Sequence, residues 1–298
     1  MKKLKLIVLI ILIIFTASTS LPALEVNAGF RIGNISFKND RTKSETTFTG
    51  LDFPWGLSIS GNHVISDNLI MEAGYYNDPI LRNISYALFS FKDQYFSVGV
   101  GPFLGVFNAS TYMPKLGLST SAVFSLPGIL FFSFRADNIM TLIQSDDYTQ
   151  ELNEIAFGFY VPNAICSFTI LTKQFTDNTA LPQIIDKVSR YSFQADIFQK
   201  NVPYRLILSF AYENMFRDFV ETAITTRHTL NSIIMGTAFD LNVRNNLVFT
   251  FDLETSIYTF GQDELLGVSS SDKFLFRLYT GVKMNLSDYF TNKKGPAL

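Results

Sequence analysis

The stretch that decides the fold is Lys273-Phe-Leu-Phe-Arg-Leu-Tyr-Thr-Gly-Val-Lys-Met-Asn-Leu286, close to the end of the sequence. Its residues alternate between two faces with a period of two, as the side chains of a β-strand do. The mostly apolar face continues for about ten residues, which is the length of a tilted strand that crosses a bilayer. In lipid such a strand must pair on both sides, so we expect it to close a barrel by pairing with the first strand. The mostly apolar face carries Phe274, Phe276, Leu278, Thr280, Val282, Met284 and Leu286, and the other carries Lys273, Arg277, Tyr279, Gly281, Lys283 and Asn285.

Part of this strand resembles the C-terminal assembly signal of bacterial outer-membrane β-barrel proteins. The signal has a polar or aromatic residue, a glycine two positions on and two hydrophobic residues at alternate positions, and here these are Tyr279, Gly281, Met284 and Leu286. The resemblance implies that the barrel-assembly machinery is a partner and that the barrel lies in the bacterial outer membrane. The chain departs from the usual pattern because it continues from Ser287 to Leu298, where many members of the class stop at a terminal aromatic residue.

The N-terminus predicts export from the cytoplasm. Lys2, Lys3 and Lys5 precede an apolar run from Leu6 to Phe15, which is followed by small residues from Thr16 to Ser20 and then by Leu21-Pro22-Ala23. A basic region, a short apolar core and a small-residue exit are typical of a cleaved secretory signal peptide. The sequence therefore predicts a signal peptide at 1–23, a transmembrane β-barrel at 24–290 and a periplasmic tail at 291–298.

The composition fits a membrane barrel and excludes several other classes. The chain is 47% hydrophobic and 15% aromatic, and only 17% of its residues are charged, below the roughly 25% of soluble domains. Its mean hydropathy is +0.19. The single cysteine, Cys166, excludes an internal disulfide and a thiolate metal cluster. The net charge of −2 argues against nucleic acid as a partner.

Alternating segments divide the rest of the chain into about fourteen strands, with twelve or sixteen as alternatives. Tight turns such as Ser66-Asp67-Asn68 and Pro127-Gly128 alternate with longer polar loops, including 138–153, 176–189 and 214–229. Short periplasmic turns and longer extracellular loops are typical of an antiparallel up-and-down outer-membrane barrel. The predicted fold class is therefore all-β, a closed transmembrane barrel with both chain ends on the periplasmic side. Aromatic residues near strand ends, among them Tyr76 and Tyr160, predict two interface girdles.

The face opposite the lipid collects charges of both signs. Because buried charges must be paired or hydrated, these residues indicate either a water-filled lumen or a set of ion pairs across it. We expect the inward glycines, among them Gly29, Gly74, Gly236 and Gly281, to leave room for water. The predicted lumen-lining residues are Arg31, Glu72, Arg135, Glu154, Asp196, Arg205, Glu213, Asp240, Asp252, Glu254, Arg277 and Lys283.

The sequence predicts a porin-like channel for passive diffusion of small solutes or ions, with outer-membrane lipid around it. It predicts no enzyme, cofactor or metal site, since His63 and His228 fall at opposite rims, and it predicts no particular oligomeric state. One alternative is a transporter of hydrophobic substrates, for which apolar residues in the loops 138–153 and 214–229, such as Phe216 and Phe219, would form a gate. Another is a surface adhesin or a structural barrel without transport.

Overall fold

The computed structural model describes residues 24–35, 55–105, 114–139, 147–198, 202–221, 224–244, 246–260 and 275–286. These residues form strands, and no helix among them is long and apolar enough to cross a membrane. In chain order the strands are β1 Leu24–Gly33, β2 Trp55–Ser66, β3 Leu69–Asp78, β4 Arg82–Lys92, β5 Phe96–Gly105, β6 Lys115–Leu126, β7 Leu130–Ile139, β8 Tyr148–Val161, β9 Ala164–Asp177, β10 Gln183–Phe198, β11 Tyr204–Glu221, β12 Ile224–Arg244, β13 Leu247–Phe260 and β14 Phe276–Asn285.

The strands form one closed antiparallel barrel in which each pairs with its neighbours in sequence and β14 pairs with β1. At this seam Val26 lies opposite Met284, and Gly29 lies opposite Gly281. The Leu286 amide also donates a hydrogen bond to the Leu24 carbonyl at 2.8 Å. The prediction that the last strand closes a fourteen-strand barrel is therefore confirmed, and closure leaves no free sheet edge in the hydrocarbon.

The outer surface of the barrel is apolar. Exposed Phe, Leu, Val and Ile side chains recur at every second position, as in Phe249, Phe251 and Leu253 of β13. A soluble protein rarely exposes an apolar patch larger than a few hundred Å². A belt of this kind around a closed sheet is instead the surface that a bilayer covers.

Two rims can be distinguished by the connections between strands. One rim, here called the turn rim, has the connections 67–68, 93–95, 127–129, 162–163, 199–203 and 245–246. The other, the loop rim, has the connections 34–54, 79–81, 106–114, 140–147, 178–182, 222–223 and 261–275. The N-terminal end of β1 and the C-terminal end of β14 both lie at the turn rim, as the alternation of turns and loops predicts.

The strands at the loop rim are longer than predicted. The stretches 138–153, 176–189 and 214–229 were expected to be loops, but most of their residues extend β8, β10, β11 and β12. They continue to pair in register, for example Asp186 with Arg217 and Asp218 with Arg227. The prediction failed because polar residues usually mark loops, whereas here cross-strand ion pairs keep polar residues in a sheet.

Aromatic residues mark the limits of the apolar belt. Tyr204 stacks on Phe239 near the turn rim, and Tyr212 stacks on Tyr191 and Phe260 nearer the loop rim. The nine residues from Tyr204 to Tyr212 span about 26 Å along the strand at ~3.3 Å per residue, which is about 20 Å of height at a strand tilt of about 40°, close to the apolar band of about 25 Å of such barrels. β11 and β12 therefore continue beyond the belt on the loop-rim side.

Tyr76 and Tyr160 were predicted to belong to the girdles, and this was wrong. Tyr76 packs edge-on against Tyr86 and joins the cluster around Leu81 inside the barrel. Tyr160 packs against Phe131, whose ring lies over Gly158 on the inner face. Whether a side chain points into or out of the barrel depends on its odd or even position along the strand. Its distance from the strand end does not decide this.

Several predictions concern residues outside the described part of the chain. These are the signal peptide at 1–23, the tail at 291–298 and the apolar loop residues Leu142 and Ile143. The first two remain predictions, and no structural statement is made about any of these residues.

Candidate functional site

The interior is organised by a short connection that folds into the barrel, here called the inward turn and comprising Asp78 to Leu81. Asp78 Oδ1 accepts hydrogen bonds from the amides of Ile80 and Leu81 at 2.8 and 3.0 Å. An aspartate that bonds backbone amides two and three residues on, followed by a proline, is a strong turn former. The turn is thus specified locally.

Side chains from the opposite wall hold the inward turn. Lys173 Nζ of β9 lies 2.5 Å from Asp78 Oδ2, and Gln150 Nε2 of β8 donates to the Leu81 carbonyl. Lys173 is 17% exposed and Asp78 6%. An ion pair this well shielded is screened less by salt than one at the surface.

Apolar residues pack around the inward turn and fill the loop-rim half of the barrel. Ile80 belongs to one buried cluster and Leu81 to a second, so the turn lies between residues from opposite walls. The residues of both clusters are at most 8% exposed, so they form a closely packed layer. The first cluster comprises Ile35, Ile80, Val188, Ala211, Met215, Leu230, Ile234 and Leu275, and the second Leu81, Ile84, Phe103 and Leu152.

Below this layer, towards the turn rim, lies a cavity of about 520 Å³. Half of the residues that line it are charged, and an apolar floor lies where it meets the packed layer, formed by Ile35, Ile80, Leu171, Val188 and Met215. Inward cationic groups near the turn rim are accessible, since the side chains of Arg205 and Lys283 are 45% and 51% exposed. Arg31, near the loop-rim end of β1, lines the cavity and is 45% exposed.

Four charged side chains form a quartet along one wall of the cavity. Arg190 of β10 bonds Glu254 of β13 through two nitrogen–oxygen contacts of 2.5 and 2.9 Å. Arg277 of β14 bonds Glu213 of β11 through contacts of 2.5 and 2.8 Å. The two pairs are linked, since Arg190 also lies 3.5 Å from Glu213 and Arg277 lies 3.4 Å from Glu254. Each arginine is thus matched by carboxylates, and the quartet ties four strands together.

The structure brings together half of the predicted lumen-lining residues. Arg31, Glu154, Glu213, Asp252, Glu254 and Arg277 all line the cavity. The sequence analysis missed Asp78, Lys173 and Arg190, which line it as well. Lys173 and Arg190 follow the period-two pattern of β9 and β10, so parity counted through the longer strands would have found them.

The other six predicted residues lie elsewhere, and all six have partners of their own. Tyr86 donates to Glu72 at 2.5 Å, and Arg135 bonds Asp137 at 3.1 Å. Nearer the turn rim, Arg205 pairs with Asp196 and lies 3.9 Å from Asp240, while Lys283 pairs with Glu25 at 2.9 Å. In these places the interior holds cross-strand ion pairs and hydrogen bonds.

The expectation that inward glycines leave room for water was wrong. A Cβ at Gly74 would lie 2.8 Å from the Tyr86 ring, and a Cβ at Gly29 or Gly281 would lie within 2.7 Å of Tyr279. At Gly236 the space is taken by Ser209 and by the Glu254 side chain. The missing side chains therefore make room for neighbouring side chains.

The loop residues that were predicted to form a hydrophobic gate contact neighbouring side chains instead. Phe216 lies under the Arg227 guanidinium, 4.2 Å from its ring centroid, and Phe219 packs edge-on against His228. Both phenylalanines belong to β11. His63 lies near the turn rim and His228 near the loop rim, and the described residues contain no group of three potential metal ligands.

No protein family and no curated protein matches the sequence. Solved structures with similar folds include an outer membrane channel from Pseudomonas putida F1, at 7% identity and a TM-score of 0.48, with 90% of this chain and 97% of that chain covered. OmpT, an outer membrane protein of Vibrio cholerae, matches at 6% identity and a TM-score of 0.43, with 88% and 96% covered. A porin matches at 8% identity and a TM-score of 0.43, with 88% and 99% covered. By its own closed fourteen-strand sheet and apolar outer belt, the chain is an outer-membrane β-barrel protein.

Proposed function

We propose that the barrel is a gated channel for passive diffusion of small polar solutes or ions. The observation that carries the proposal is the cavity inside the wall, which is lined by charged residues of both signs and in which Arg31 remains 45% exposed. A barrel with only a structural role has no need of charged groups around an internal space, because burying them costs free energy. The same charged lining disfavours the hydrophobic-substrate transporter.

The inward turn is the proposed gate. It lies between the cavity and the loop rim. It is held by the close Lys173–Asp78 ion pair, a longer contact of 4.0 Å from Arg31 to Asp78, the hydrogen bond from Gln150 and apolar packing. Rearranging so short a segment would open a path while leaving the pairing of the strands intact. The state described here is then the closed one.

Recording from planar bilayers tests the channel and its gate together. Replacing Lys173 with Met removes the cation that holds Asp78, so Lys173→Met should raise the open probability several-fold over the unmodified protein. Lys187→Met is the matched control, because Lys187 lies over Phe216 of β11 and is not among the cavity-lining residues. Circular dichroism should confirm that both variants are folded.

The outcomes separate the candidate functions. Rare openings in the unmodified protein and frequent openings in Lys173→Met would support the gated channel. If the unmodified protein, Lys173→Met and Lys187→Met are all folded and none of them conducts at any voltage, the channel proposal fails. The structural barrel then takes its place. Equal open probabilities in the two variants would retain the channel but reject the inward turn as its gate.

A further inference from the structure

The charges around the cavity do not balance. Its lining includes the cationic residues Arg31, Lys173, Arg190 and Arg277, and the anionic residues Asp78, Glu154, Glu213, Asp252 and Glu254. The quartet accounts for two charges of each sign, and Lys173 is matched by Asp78. Glu154, Asp252 and Arg31 remain. In the described part of the chain, no cationic side chain lies within ion-pair distance of Glu154 or Asp252, while Arg31 reaches Asp78 at 4.0 Å.

The two carboxylates lie on different walls. Asp252 is on β13, where it pairs with Tyr279 of β14, while Glu154 is on β8, next to Arg135 of β7. Both line the same cavity, so a solute inside it meets acceptors from two directions. A carboxylate in a partly desolvated space favours a cationic hydrogen-bond donor over water, because bonds between ionised groups are the stronger ones.

The apolar floor adds a second requirement. Ile80, Val188 and Met215 present apolar surface to the cavity on the side that faces away from the turn rim. A bare metal ion gains nothing from such a surface, whereas the methylene chain of an organic cation is removed from water there. The cavity therefore combines anionic acceptors with a patch for a short alkyl chain.

From this geometry we propose that the cavity is a binding site for small alkyl amines in their protonated form, with Asp252 and Glu154 as the acceptors. The proposal rests on the proposed function in that it names the class of solute that the channel would admit. The closed inward turn then blocks the path of the amine to the loop rim and leaves it on the turn-rim side of the gate.

Calorimetry on the protein refolded in detergent micelles tests the site without requiring conduction. The probe is 1,4-diaminobutane, and it is compared with succinate, which has the same length and the opposite charge, and with Mg²⁺, which has the same charge and no alkyl chain. Diaminobutane should bind at least tenfold more tightly than Mg²⁺, and succinate should show no binding heat.

Variants then locate the binding. Asp252→Asn and Glu154→Gln should each weaken diaminobutane binding by about tenfold, since each removes one charge-assisted hydrogen bond. Glu25→Gln is the matched control: Glu25 faces inward and pairs with Lys283, but it is not among the cavity-lining residues, so its replacement should leave the affinity unchanged. Circular dichroism verifies the fold of each variant.

Three results would overturn the proposal: no binding of diaminobutane to folded protein, tighter binding of Mg²⁺ or succinate, or an equal loss in Glu25→Gln and Asp252→Asn. The bilayer recordings keep this test separate from the channel proposal. Amine binding without conductance would retain the site and reject the channel, whereas conductance without amine binding would retain the channel and reject the site.

Discussion

At the scale of single residues, the interior is shaped by aromatic rings packed on glycines. Tyr86 covers Gly74 directly across the strand pair, and Phe103 covers Gly117 in the same way. A ring laid over a cross-strand glycine fills the space that the glycine leaves and shields its backbone. Glycine at these positions is required by the neighbouring ring and has no connection with the width of the lumen.

A substitution at Gly117 should therefore be costly. A Cβ there would lie 2.1 Å from the Phe103 ring, which is 1% exposed and cannot move aside. We expect Gly117→Ala to lower the free energy of unfolding by about 1–3 kcal/mol through overpacking. Urea unfolding in lipid vesicles, followed by the fluorescence of the single tryptophan, Trp55, measures the change.

Gly61→Ala is the control for this prediction. At Gly61 the nearest atom to an added Cβ is the Glu25 carbonyl oxygen at 3.6 Å, an ordinary van der Waals contact. The free energy of unfolding should change by less than about 0.5 kcal/mol. Equal losses in the two variants would show that the aromatic cover does not determine the effect.

At the scale of elements, β14 has two roles. It closes the barrel against β1, and it contains three of the four residues that resemble the assembly signal, the fourth being Leu286, which directly follows it. Met284 lies opposite Val26 on one side and Leu247 on the other, so its side chain is part of the seam's outer face. Gly281 accommodates Tyr279, which gives it a role in packing besides any role in recognition.

Charge on the outer face of β14 should block insertion. The variant that carries Met284→Asp and Leu286→Asp should be absent from the outer membrane and degraded in the periplasm, because it places carboxylates where the strand must face lipid. Immunoblotting of membrane fractions measures the loss. The control is Asn285→Asp, which places a carboxylate on the inner face of the same strand. This variant should insert normally. Normal outer-membrane levels of the doubly substituted variant would place the signal elsewhere.

The whole molecule is asymmetric along its axis. Its loop-rim half is packed around the inward turn, and the cavity lies near mid-height, on the turn-rim side of that packing. The length of the connections predicts that the turn rim faces the periplasm. With that orientation, solutes would reach the cavity from the periplasm while the gate is closed.

Cysteine labelling of intact cells tests the orientation. Leu181, between β9 and β10, is 98% exposed at the loop rim, and Asp67 is exposed between β2 and β3 at the turn rim. With Cys166 replaced by Ser, a membrane-impermeant maleimide should label Leu181→Cys and leave Asp67→Cys unmodified until the outer membrane is permeabilised. Labelling of Asp67→Cys in intact cells would invert the orientation. Asp218 is unsuitable for this test because it is 5% exposed and bonded to Arg227.

The sequence by itself determined the wall of the barrel. A period of two is a local property, and in lipid it suffices to specify strands, the face that each presents and the closure of the sheet. The strand Lys115–Leu126 has the bounds that its alternation predicts, and β14 pairs with β1 as its apolar length requires. The class of protein follows from the same local information.

Only the tertiary structure decided what occupies the lumen. Asp78 meets Lys173 across 95 residues of sequence, and Arg277 meets Glu213 across 64, so these pairs depend on strand number, register and closure of the whole sheet. The same holds for the inward turn, whose local sequence specifies a turn but not its direction. Alternation tells which side chains face inward, but whether they enclose water or contact one another depends on the distances across the barrel, which no short stretch of sequence contains.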